Sequence, residues 1–331
     1  MRRARRYGRI GIVFKLLPVI TFLLSVFSVL HAELKDVVFS PQWIPQAQFA
    51  GYYVAKEKGF FEQEGLNVVF NHIGINSKET SLELLKQGKA DIVGLQLMQA
   101  IVARSQGMPI VNVCQVTQIS GLWVVAHSPI KELKDLNHMR VARWQAGHSE
   151  LFDVLSHEYN LDIEWVPISR NVNLFIYRAV DATLCYSYNE YLGLLLSMGR
   201  IPEENVLRCH DFGFRVPEDG LYVTEQYNRE NGDVVDAFVR AVKKGWDYAA
   251  AHPEEACALT HKYIEAGHVS SNPVMERMML KEYLRLQVNP ETGKRDYSQP
   301  TEKVFNKLVE SMYHAALIMK PVNHQEMIRY E

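Results

Sequence analysis

Hydrophobic positions along this chain recur with two periods, close to two in some stretches and close to 3.6 in others, and the switches between them lay out its elements. Short β-rich runs at 37–39, 67–70, 91–95 and 110–116 are separated by helical stretches. The first helix runs through Tyr52, Tyr53 and Ala55 and stops at Gly59. The second opens with Asn76 and Glu79 as a capping box, carries Leu82 and Leu85 on one face and ends near Gly88. A third spans 98–105 and ends at Gly107. The apolar run 121–126 then crosses into a second lobe, where strands at 139–144, 163–168 and 182–186 alternate with helices at 149–159, 173–180 and 190–198. Residues 220–224 read as a strand returning to the first lobe, followed by an amphipathic helix at 233–251 with Val235, Phe238, Val239, Val242 and Trp246 on one side. Pro253 marks its exit, and helices near 274–286 and 301–318 complete the pattern.

Strand–helix alternation with short turns predicts parallel sheets in an α/β fold. Lys89-Ala-Asp-Ile-Val-Gly-Leu95 is echoed by Val180-Asp-Ala-Thr-Leu-Cys-Tyr186, in each case a helix end, an aspartate turn and a buried strand. The expected division is lobe I at 33–118 plus 220–331 and lobe II at 119–219. Two crossings between lobes make a hinge, and a hinge permits closure around a ligand.

Residues 1–32 change the picture at the start. Arg2, Arg3, Arg5, Arg6, Arg9 and Lys15 precede a mostly apolar run at 16–30, and Ala32 offers a small residue for cleavage, the pattern of an export signal. A retained anchor is the alternative, since Leu30 is a poor small-residue match. Cleavage after Ala32 would leave 299 of 331 residues in an extracytoplasmic or periplasmic place, and losing six cations would take the formal charge from −2 to −8. A mildly acidic chain suits neither nucleic acid nor an anionic membrane surface. Cys114, Cys185, Cys209 and Cys257 are widely spaced, without a C-x-x-C pair, and are expected as buried single thiols.

In open α/β sheets ligands bind beyond the carboxyl ends of the strands, which directs attention to particular loops. The proline-bounded loop after the first strand carries Trp43, a candidate for stacking on a planar ring or else a hinge filler. Gln48, Phe49 and Tyr52 surround the amino end of the first helix, where free N–H groups attract acceptors; Tyr52 and Tyr53 are expected to split between core and cleft. Gln96 and Gln99 follow the third strand, and Gln115 and Thr117 the next, as polar groups at the same level. Trp144, His148 and Ser149 end a strand and open a helix, with Ser149 as its cap. His210 to Gly220 links the lobes; Asp211 and Phe212 either lie over the cleft or belong to the crossover.

Pro41-Gln-Trp-Ile-Pro-Gln-Ala-Gln-Phe-Ala-Gly-Tyr-Tyr, running into AKEKGFFEQEGLNV at 55–68, resembles the opening of periplasmic solute-binding proteins related to the thiamine-pyrimidine synthase, a group with taurine, alkanesulfonate and pyrimidine binders. The likeness extends over about 37–251. It implies the two-lobed periplasmic binding protein fold (type II-like), a small heterocycle as ligand and an ABC permease as partner, with the chain working as a monomer. In relatives that bind or make the aminopyrimidine, an aromatic and a carboxylate at a strand end face the ring. Tyr188 and Glu190 match them here, although an acid in a first helical turn is also favoured by the helix dipole.

The same resemblance raises the alternative of the synthase itself, which uses pyridoxal phosphate, iron and its own histidine. That chemistry needs a lysine for a Schiff base, a sacrificial histidine and a cysteine cluster. Gln96 stands at the lysine position, Ala100 at the histidine, and Asp211 to Pro217 where the cysteines belong. The expectation is therefore a binder with no catalytic residues, no metal and no cofactor. His157, alone on a helix, reads as surface. Sulfonate or nitrate, the other alternative ligands, would want arginine in the cleft; Arg143 and Arg170 are the nearby candidates, and strand alternation turns Arg143 away from Trp144.

Overall fold

The computed structural model describes residues 33–329, apart from 75, 76, 78, 146, 147, 170 and 214. The leader, the Asn76 cap and Arg170 lie outside the described residues. Strand β1 (Lys35–Ser40) leads through a 3-10 turn at Ala47–Phe49 into helices α1 (Ala50–Glu57) and α2 (Phe60–Gln63). Then come β2 (Leu66–Phe70), α3 (Ser81–Lys86), β3 (Ile92–Gln96), α4 (Leu97–Ser105) and β4 (Ile110–Gln115). The middle of the chain supplies β5 (Leu122–Ala126), β6 (Arg140–Trp144), α5 (Glu150–Glu158), β7 (Glu164–Ile168), α6 (Asn173–Ile176), β8 (Ala182–Tyr186), α7 (Glu190–Met198) and β9 (Val206–Arg208). It closes with β10 (Asp219–Thr224), α8 (Glu225–Glu230), α9 (Gly232–Ala251), α10 (Pro253–Ala266), α11 (Pro273–Leu286), α12 (Glu302–His314) and α13 (His324–Met327).

Two five-stranded sheets result, ordered β2-β1-β3-β10-β4 and β7-β6-β8-β5-β9. Their plans correspond. The echoing segments found in the sequence become the middle strands, β3 and β8. Both sheets are mixed rather than parallel: β10 runs antiparallel to β3 and β4, and β5 antiparallel to β8 and β9. The reason is the path of the chain. A strand arriving from the other sheet enters from the opposite end, so it lies against neighbours that point the other way.

Local chemistry sets the boundaries. The cap of α3 is Thr80 rather than Asn76: its hydroxyl accepts from the Glu83 N–H at 3.2 Å while the Glu83 carboxylate accepts from the Thr80 N–H at 2.8 Å. The helix consequently buries Leu84 and Leu85, leaving Leu82 half-buried. Pro253 ends α9 and occupies the first turn of α10, where a missing N–H costs nothing. The periodicity at 253–266 gives no sign of a helix because α10 buries only a thin stripe of Ala256, Thr260 and Ile264. Helix α6 is a single turn, shorter than its apolar pattern suggests.

Helix α9 is the spine of the first half, burying Val235, Phe238, Val242 and Trp246 against α1. Gly51 and Gly245 permit this close approach: a Cβ on Gly51 would fall 2.1 Å from the Trp246 ring, and one on Gly245 would fall 2.1 Å from the Gly51 carbonyl oxygen. Cys114, Cys185 and Cys209 are buried and Cys257 is half-buried. Among the described residues, no helix is long and apolar enough to cross a membrane.

Candidate ligand-binding site

A cleft of about 490 Å³ opens where loops of the two sheets face each other, a size in the roughly 300–1,000 Å³ range of small-molecule pockets. One wall is the loop after β1, with Gln42, Trp43, Pro45, Gln46 and Gln48; the opposite wall is Trp144, Gln145, His148 and the turn Tyr186–Glu190. The link from α10 to α11 and the first turns of α11, from Val269 to Met279, close a side.

The first wall is held from behind by histidine. His72 Nδ1 lies 3.1 Å from the Trp43 carbonyl and Nε2 lies 3.0 Å from the Tyr53 hydroxyl. Burial lowers its pKa to about 4, so the ring is neutral at ordinary pH. A neutral ring has one donor, and a carbonyl can only accept, so Nδ1–H faces Trp43 and Nε2 accepts from Tyr53. The Ala47 N–H donates to Glu276 of α11 at 2.7 Å, which pins the other end of the loop.

The second wall is a ladder of rings. Trp144 and Tyr186 stack with centroids 5.2 Å apart and planes 25° from parallel; Tyr186 and Tyr188 stack at 5.3 Å and 26°. The Tyr186 hydroxyl accepts from Gln96 Nε2 at 2.7 Å and donates to the His148 carbonyl at 2.9 Å, joining the end of β3 to the second sheet. Glu190 lines the cleft, and one of its oxygens accepts from the Tyr186 N–H at 3.0 Å; burial raises its pKa. Burial also lowers His148 to about 4, so it faces the site uncharged.

Below the cleft lies a feature that sequence reasoning missed. Glu218 and Asp219, at the start of β10, are buried side by side. Glu218 accepts from the Ser120 hydroxyl at 2.8 Å and the Gly121 N–H at 3.0 Å, tying together the two chain crossings. Asp219 accepts from Gln42 Nε2, Gln48 Nε2 and the Tyr283 hydroxyl, each at 2.8 Å. Burial, and then the neighbouring Asp219 charge, push Glu218 up to about 8. Burial also raises Asp219, against the pull of its three donors. Two acids before the apolar run of a central strand were the available signal.

Of the residues singled out by sequence, Trp43, Gln48, Gln96, Trp144, His148, Tyr188 and Glu190 come together in the cleft. Tyr52 does not. It is buried between Phe39 and Trp246, with ring centroids 4.8 and 5.7 Å away, because α1 is enclosed on nearly every face. Tyr53 is also buried, stacked on Tyr263 at 4.1 Å, so the two tyrosines do not divide between core and cleft. Ser149 lies behind the wall, and its side chain makes no cap bond; its hydroxyl accepts from Arg143 at 2.8 Å. Arg143 in turn makes two bonds to Asp153 and sits over Trp165, turned from the cleft as strand alternation requires. Gln115 and Thr117 are buried hydrogen-bonding partners of the β10 backbone. Asp211 and Phe212 form a 3-10 turn beside the crossover. Among the described residues no lysine lines the cleft and no cluster of three His, Cys, Asp or Glu is placed for a metal.

Two lobes, two chain crossings and an aromatic, amide-rich cleft between them define the periplasmic binding protein fold. The periplasmic aliphatic sulphonate binding protein SsuA of Escherichia coli shares it at a TM-score of 0.67 and 16% identity, over 89% of this chain and 97% of that one. Residues 46–256 match the family described as NMT1/THI5 like, and the chain belongs to that family. Relatives include the riboflavin-binding protein RibY of Chloroflexus aurantiacus, 25% identical over 90% of this chain and 86% of that protein. A formylaminopyrimidine-binding protein of Halalkalibacterium halodurans is 26% identical over 67% of this chain and 69% of its own length.

Proposed function

We propose that this chain is the extracytoplasmic solute-binding component of an ABC importer, acting as a single copy and holding a flat nitrogen heterocycle, foremost a thiamine-related aminopyrimidine. The observation that carries the reading is the Trp144–Tyr186–Tyr188 ladder facing amides and two carboxylates, Glu190 and Glu276, in a cleft with no lysine or arginine among its described residues. A planar ring gains from stacking, and a ring amine finds acceptors. A sulfonate or nitrate asks for a guanidinium; Arg143 is committed to Asp153, and Arg170 lies outside the described residues. The binding-protein relatives support the transport role and its extracytoplasmic place. A second reading, a tricyclic flavin, is favoured by the length of the ring ladder and by the coverage of the RibY relative.

The test is a thermal-shift and calorimetric screen of the purified chain against aminopyrimidines, thiamine, riboflavin, an alkanesulfonate and pyridoxal phosphate. A ligand at 100 times its Kd stabilises by roughly 2.7 kcal/mol, a readily measured shift, and is expected back unchanged on release. A shift with riboflavin exceeding every pyrimidine selects the second reading. Stabilisation by the sulfonate alone, or turnover of pyridoxal phosphate to a new heterocycle, ends both.

A further inference from the structure

Resting on that reading, we infer that the cleft takes its heterocycle without a phosphate or sulfonate group, because Glu150, Glu190 and Glu276 stand where such a group would dock. Among neutral residues an oxyanion binds most readily at a helix amino end, where unpaired N–H groups and the dipole both favour negative charge. Two helix amino ends line the cleft, α7 through Asn189 and Glu190, and α11 through Asn272 and Glu276. A third, that of α5, lies directly behind His148. Glu150 at its start borders a small cavity that shares Gln96, His148 and Tyr186 with the cleft. Each of the three ends carries its glutamate in the first turn. Neither Ser149 nor Asn189 caps its helix with a side chain, so on α5 and α7 the glutamate is the negative group that the helix end meets. Two of the carboxylates also consume donors beside the site. Glu190 accepts from the Tyr186 N–H at 3.0 Å, and Glu276 accepts from the Ala47 N–H at 2.7 Å and the Ser271 hydroxyl at 3.0 Å. A phosphate monoester entering here meets three acids and, among the described lining residues, no lysine or arginine. A neutral ring, or one protonated to a cation, escapes that repulsion.

The experiment pairs (4-amino-2-methylpyrimidin-5-yl)methanol with its phosphate monoester, and riboflavin with riboflavin 5′-phosphate, in calorimetric titrations. The unphosphorylated partner is expected to bind at least about a hundredfold more tightly, the scale of like charges brought together in a binding site. Glu150→Gln, Glu190→Gln and Glu276→Gln keep the shape of the side chain and remove its charge. At least one of them is expected to cut the discrimination by about tenfold, and the triple variant by more. Glutamine still accepts from a backbone N–H through its oxygen, and melting curves show which variants fold; the singles that fold decide the matter should another not. An ester that the wild type binds within about threefold of its parent, or more tightly, overturns the inference. So does a discrimination unchanged in every folded variant. Inorganic phosphate and methanesulfonate, followed on the Trp43 and Trp144 indole N–H resonances, test it apart from the functional reading: saturable shifts confined to the Gln variants support it, and any other pattern overturns it. Wild-type protein that binds none of the four heterocycles overturns the functional reading instead.

Discussion

The indole of Trp144 shares its face with Tyr186, and Tyr186 with Tyr188, so a flat ligand entering here would extend a stack already begun. Such contacts are worth about 0.5–1.5 kcal/mol beyond the area they bury, and Trp144 is only half-buried. Trp144→Ala is therefore expected to weaken heterocycle binding by about tenfold, counting stacking and lost area together, and to lower the melting temperature of the free protein as well, because the indole already packs on Tyr186. Calorimetric titration alongside a melting curve checks both, and unaltered affinity would remove the ladder from the site. Much at this scale was legible in the sequence, because Trp43, Gln96 and Trp144 sit at strand ends, where loops meet. Tyr52 was misplaced because an aromatic at a helix start reads the same whether the helix is exposed or enclosed. Ser149 does stand at the N-cap of α5, but its hydroxyl serves a neighbouring arginine instead of the helix end.

At the scale of elements, α1 and α9 meet backbone to backbone at paired glycines. The Gly51 carbonyl and the Gly245 Cα approach so closely that no side chain fits between them. Gly245→Ala is expected to destabilise by at least the roughly 1–3 kcal/mol of an overpacked core, since the obstruction is backbone and cannot rotate away. Urea unfolding measures it, and a midpoint within error of wild type would show that α9 shifts freely along α1. Helix α9 followed from periodicity because it buries one face, whereas β3, β5 and β8, buried at every position, followed from short continuous apolar runs. Helix α10 escaped notice because three small or polar-edged positions make too faint a stripe, and the three-residue β9 is too short for any period.

For the whole molecule, the Glu218–Asp219 pair sits where the chain passes between lobes, bonded to Ser120 and Gly121 of the other crossing. Glu218 is raised from its ordinary value of 4.5 to about 8. The folded state therefore holds its proton more tightly than the unfolded chain does. The stability this gives is complete below about pH 4.5 and is lost as pH rises toward 8. Buried His72 and His148, lowered to about 4, act in the opposite sense and cost stability as pH falls from 6.5. The comparison with Glu218→Gln isolates the acid: its stability relative to wild type should climb by a few kcal/mol between pH 5 and 8, at about 1.36 kcal/mol per pH unit. Denaturation curves across that range check it, and parallel pH profiles for the two proteins would contradict the raised value.

By itself the sequence determined most of the strands and helices, their order and the loops at which polar and aromatic groups gather, since these follow from spacing along the chain. Tertiary structure alone decided that β10 and β5 run against their neighbours, that both Tyr52 and Tyr53 turn inward, and that Asp219 meets Gln42 and Gln48. The physical reason is distance in sequence. Residues 171 and 177 positions apart make the bonds at the base of the cleft, and no local pattern records which buried donors a carboxylate will find once the chain has crossed between lobes and returned.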